Sequence, residues 1–191
     1  MINIILIFRC YVGMNWSLQS LSVMCWCVVR GRKNPSYYGL PDRLRRARQR
    51  ADMTRTTASL AAGLSNEAAS QIEQRQRLPR IDTIERLAGT LSVSSAWLAF
   101  GEGDEVAGPA QSDSYTVGQR MVMARTKRGM NRKALGIAAQ VAGQAIANIE
   151  VKGTLPRVDT LELIAKALDV KPGWLAFGIA SKVGARESAS L

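Results

Sequence analysis

The chain has 191 residues, 47% hydrophobic and 21% charged, which suits one or two small soluble domains. Lys and Arg number 26 against 15 Asp and Glu, and the net charge of +11 predicts attraction to a polyanion, either nucleic acid or an anionic membrane surface. There is no histidine, and Cys25 and Cys27 form only a C-x-C pair; histidine acid–base chemistry is excluded, the usual zinc spacings are missing, and no metal or cofactor is expected.

Residues 1–39 read as an N-terminal extension, since Met1 to Val29 has no clean helical or alternating period. Three readings stand side by side. The stretch is translated from a misplaced start, with Met14, Met24 or a start lost just before Leu40 as alternatives; or it is a weak membrane anchor; or it is a disordered or packed arm. An anchor needs about 20 mostly apolar residues, a requirement that Cys10 to Val29 barely meets, so membrane attachment is not the favoured reading. Arg30, Arg32 and Lys33 would hold the C-terminal side of such an anchor in the cytoplasm. Asn34 to Gly39, with Pro35 and Gly39, reads as a linker.

From 40 to 101 the pattern predicts five helices. Leu44, Ala47 and Ala51 make one stripe, and Ile81, Ile84, Leu87, Ala88 and Leu91 another at three- and four-residue spacing. Between them a short helix opens on Thr54 and stops at Gly63. A second restarts with Ser65 as its cap, placing a recognition helix near 65–74, and Leu64 and Ile72 are apolar where the two must touch. This tight corner predicts a helix-turn-helix, which offers the outer face of its second helix to the DNA major groove. Leu78-Pro79-Arg80 breaks the chain before the fourth helix, Asp82 and Glu85 sit early in it, and Ser94 to Leu98 makes a short last helix that Gly101 ends.

Residues 102–114 read as a flexible acidic linker. A shift of 77 positions then superimposes 117–178 on 40–101 without a gap, with 24 of 62 positions identical, so 115–178 is a second copy. Its recognition helix is predicted near 142–151, where Ala142 replaces the serine cap, and 179–191 reads as a disordered tail.

The run R-x-A-R, M-T, A-A-G-L-S, I-E, L-P-R-x-D-T and W-L-A-F-G resembles the Xre-type helix-turn-helix domain of phage repressor and Cro proteins, in two tandem copies. The resemblance implies an all-α chain of two five-helix lambda-repressor-like domains, cytoplasmic, non-enzymatic, and bound to double-stranded DNA in bacterial or phage gene regulation. It puts base contacts on Asn66, Glu67 and Gln71 in repeat one. In repeat two they fall on Gly143, which has no side chain to offer, and on Gln144 and Asn148. Asn and Gln suit adenine, and Glu suits cytosine. Phosphate contacts fall on Arg55 and Arg132, with Arg75, Arg77 and Lys152 following the recognition helices. The resemblance also makes Arg48–Glu73 and Arg125–Glu150 partly buried structural ion pairs.

Trp97, Trp174, Phe100, Phe177, Met53 and Met130 are expected in the core. For Ile146 a thymine methyl and a neighbouring domain both stay open, and Arg43 and Arg46 divide between a solvated face and phosphate. The function expected is a sequence-specific transcriptional regulator, most simply a repressor, acting as a homodimer or as its own intramolecular pseudo-dimer. The alternatives are a protein-interaction role for one repeat, more readily the second, and a membrane-tethered regulator.

Overall fold

The computed structural model describes residues 35–106 and 113–179. The expectations for residues 1–34, for 107–112 and for the tail from 180 lie outside them. Ten α-helices, five per repeat, make up the described residues: α1 (Leu40–Arg50), α2 (Arg55–Ala61), α3 (Ala68–Glu73), α4 (Ile81–Thr90) and α5 (Ser95–Phe100), then α6 (Val117–Lys127), α7 (Arg132–Ala139), α8 (Gly143–Lys152), α9 (Val158–Leu168) and α10 (Pro172–Phe177). None of them is long and apolar enough to cross a membrane.

Local chemistry accounts for most of the boundaries. The Thr54 hydroxyl accepts from the Thr57 N–H at 3.1 Å to start α2, Asn131 does the same for α7 from Ala134 at 2.8 Å, and Thr116 with Gln119 makes a reciprocal capping box at α6. Gly101 and Gly178 close α5 and α10 with φ near +70°, a left-handed turn that costs other residues strain.

The second helix of the first corner departs from expectation. It begins at Ala68 rather than at Ser65, and the Ser65 side chain caps nothing; Asn66 and Glu67 form a turn ahead of it. The hydroxyl that serves α3 belongs instead to Ser59, buried in α2, which accepts from the Ala69 N–H at 2.9 Å and donates to the Arg55 carbonyl at 2.8 Å. Gly136 holds that place in repeat two. A Cβ there would lie 2.8 Å from the Val141 carbonyl, so the glycine lets the turn approach α7 and α8 begin two positions earlier in the repeat.

The two repeats belong to one compact unit starting at Pro35. Equivalent turns meet head to head: the Ile81 N–H donates to the Pro156 carbonyl at 3.3 Å, and the Val158 N–H to the Pro79 carbonyl at 3.2 Å. This exchange is isologous, the relation of subunits in a twofold dimer. Phe100 and Phe177, expected as plugs within each repeat, are buried against one another across the junction with ring centroids 6.4 Å apart. Gly173 admits α5 there, since a Cβ on it would lie 2.9 Å from Ala96 Cβ.

Two segments expected as linkers are docked. Ser36 to Gly39 forms a 3-10 helix, and Ser36 donates from its N–H (2.7 Å) and its hydroxyl (2.8 Å) to Glu162 on α9, so the chain start reaches across to repeat two. Residues 102–106 do not hang free either. The Ser94 N–H donates to the Glu105 carbonyl at 3.0 Å, Arg50 pairs with the Glu105 carboxylate at 2.6 Å, and the Gly173 N–H donates to Glu102 at 3.0 Å. Acidic composition announced solvation, yet neighbouring guanidinium and N–H groups give these carboxylates partners. Ile146 is fully buried, which removes it from contact with DNA.

Candidate nucleic-acid interface

The recognition helices are held by a buried carboxylate in each repeat. Glu73, at the end of α3, receives Arg48 through Nε at 2.8 Å and Nη2 at 3.1 Å; Arg48 also donates Nη1 to the Met53 carbonyl at 2.7 Å. One side chain thereby ties α1, the α1–α2 turn and α3. Glu150 receives Arg125 at 2.7 and 3.2 Å, with the third bond to the Met130 carbonyl at 2.8 Å.

A second arginine joins each pair. Arg55 and Arg132 donate through Nε to Glu73 at 2.9 Å and to Glu150 at 2.6 Å. Their Nη groups make no hydrogen bond among the described residues, and the side chains are 39% and 49% exposed. Each therefore has an anchored Nε and outward-facing donors at the start of α2 or α7, a geometry suited to a backbone phosphate.

Burial pushes both glutamates up, but the hydrogen bonds and charges of two arginines outweigh it and hold each carboxyl below the ordinary value of 4.5. A lowered folded value contributes stability above the unfolded pKa, and that contribution is lost as pH falls through the folded one. Burial pushes Glu85 and Glu102 up instead, the opposite sign, so the two glutamates are isolated by comparison with a variant. The difference in urea midpoint between the parent and Glu73→Gln is expected to shrink as pH falls from about 5 through the carboxylate range. A difference that stays constant or grows would overturn the assignment.

The residues expected to contact bases lie on the outer side. Asn66 and Glu67 are exposed on the turn before α3, and Gln71 is half-buried on it; its amide nitrogen lies 3.5 Å from the Glu67 carboxylate. In repeat two Gln144 donates to Asn148 at 3.1 Å, and Gly143 leaves open space where Asn66 would project. Arg75 and Arg77 are exposed beyond the end of α3, and Lys152 is exposed in the last turn of α8. A groove of about 580 Å³ runs from Gln71 and Arg77 past Arg80 to Leu155 and Arg157, at the junction of the repeats.

Arg43 leaves the set. Its Nε donates to the Leu98 carbonyl at 2.9 Å and its Nη2 to Ala99 at 2.7 Å and Ser36 at 3.0 Å, fastening α1 to α5 rather than meeting phosphate. Arg120 repeats this on Leu175 and Ala176 at 2.9 and 2.6 Å. The signal was present: Arg43 recurs as Arg120 while Arg45 and Arg46 become Val122 and Met123. Arg80 is also engaged, donating to the Leu155 carbonyl at 3.0 and 3.2 Å across the junction.

A paired helical corner repeated in five-helix units, with polar side chains outside its second helix, defines a helix-turn-helix DNA-binding protein. The Helix-turn-helix family model matches residues 44–98 and again 123–175. The chain belongs to this Cro/C1-type helix-turn-helix family, in two tandem copies. No curated protein and no solved structure matches it.

Proposed function

We propose that this DNA-binding regulator is a repressor that occupies one operator as a single chain, each repeat facing one half-site. The observation that carries the reading is the isologous exchange between Pro79–Ile81 and Pro156–Val158, because it gives one chain the twofold relation that such domains otherwise gain by dimerising. Bases are met by the surface that carries Asn66, Glu67 and Gln71 in one half-site and by the one that carries Gln144 and Asn148 in the other, and phosphates by Arg55, Arg75, Arg132 and Lys152. Repression follows from covering a promoter.

Four neutralised phosphates at a log–log slope of about −0.9 each would lower affinity more than about a hundredfold between 50 and 200 mM salt. Titration of selected operator DNA should give that slope, with one chain per duplex. A slope near zero sinks DNA binding, whereas a steep slope with two chains per operator sinks only the single-chain part.

A protein-binding role for repeat two is favoured by its surface, where Ile137 and Val151 are 71% and 69% exposed and Gly143 removes a reader. Gln144→Ala with Asn148→Ala separates the readings. Unchanged operator affinity would favour the protein partner.

A further inference from the structure

Arg77, expected at phosphate, is held beside the recognition helix by a defined set of bonds. Gln76 adopts a left-handed backbone, φ +50°, and turns the chain so that the Arg77 N–H donates to the Gln71 carbonyl at 2.9 Å. The Arg77 side chain then lies along α3, with Nη1 donating to Gln71 Oε1 at 3.1 Å. A guanidinium carries only donors, so the amide atom facing it must be the oxygen; the amide nitrogen is left towards Glu67, whose carboxylate only accepts. The three side chains thus form one directed chain from Arg77 through Gln71 to Glu67.

This order changes what the surface can read. Adenine is recognised by an amide whose oxygen accepts and nitrogen donates at once, and here the Gln71 oxygen already accepts from Arg77 while its nitrogen faces the Glu67 carboxylate. The remaining donors of the Arg77 guanidinium match instead the O6 and N7 acceptors that guanine presents in the major groove. We infer that Arg77 reads a guanine in the half-site faced by repeat one, and that Gln71 and Glu67 are its positioning residues.

The inference rests on the DNA-binding reading and adds to it the base and the residue. Repeat two has no equivalent. Thr154 stands in the place of Arg77, its N–H folding back on the Asn148 carbonyl at 3.1 Å, and the next guanidinium, Arg157, is the counterpart of Arg80. The guanine therefore belongs to one half-site only, and it fixes which way round the chain sits on its operator.

Selection of bound duplexes from a random pool by the full chain, Arg77→Ala and Gln71→Ala tests this. The parent should select one guanine in one half-site. Arg77→Ala should lose that preference and bind the guanine-bearing operator about 5- to 150-fold more weakly, with little change on operators already substituted there and an unaltered melting temperature. Gln71→Ala should blur the same position without introducing another. Arg77→Ala weakening all sequences alike would make it a phosphate contact and overturn the inference, as would a retained guanine with loss of an adenine in Gln71→Ala. A parent that selects nothing and binds without salt dependence would remove the DNA-binding reading itself, and this inference with it.

Discussion

Glu73→Ala is expected to destabilise repeat one by about 3–5 kcal/mol, because it strands a guanidinium that is already largely withdrawn from water. The Arg48 side chain is only 12% exposed and directs two of its three bonds to that carboxylate, while Arg55 loses its anchor at the same moment. Against a total of about 5–15 kcal/mol for a typical domain, a loss of this size unfolds a large share of molecules near physiological temperature. Glu150→Ala should do the same to repeat two through Arg125 and Arg132. DNA affinity falls in both as a consequence of lost structure. Thermal melts beside binding at low temperature decide the matter: a variant that melts like the parent and still fails to bind would give Glu73 a direct role at DNA.

Phe177→Ala should cost about 3–5 kcal/mol as well, since it empties a buried position where two repeats meet. Phe100→Ala attacks the same contact, so the double variant should cost less than the two single losses added together. Strict additivity would mean that the rings do not share an interface. The junction also sets how DNA is met. Two rigidly joined domains demand one half-site spacing, so inserting about five base pairs, half a helical turn, between the half-sites should abolish tight binding by the parent. The double variant, its repeats held only by the tether, should tolerate that insertion better. Equal tolerance by parent and variant would count against a fixed pseudo-dimer.

The sequence by itself determined the local and the repeated. The cap at Thr54, left-handed turns at Gly63 and Gly101, and apolar residues three and four apart are short-range chemistry, so five helices per repeat and the corner at 54–73 were legible. The duplication was legible as well. The pairing of Arg48 with Glu73 came from the family resemblance rather than from the duplication, and in the structure the two are joined by two hydrogen bonds.

Tertiary structure decided whatever depended on a partner distant in sequence. Ser59 took the capping role assigned to Ser65 because packing of α2 against α3 brings its hydroxyl to the Ala69 N–H, ten positions away. Arg43 differs from its neighbours Arg45 and Arg46 in recurring as Arg120, but what that recurrence serves is set by the carbonyls of α5, which make it a clasp rather than a solvated charge. Likewise, nothing local told Phe100 to meet Phe177, or Ser36 to find Glu162. Composition reports how willing a residue is to be buried or charged; which carbonyl, carboxylate or ring it meets is fixed only when the chain closes on itself, since an unpaired buried donor is costly and each one must find its acceptor.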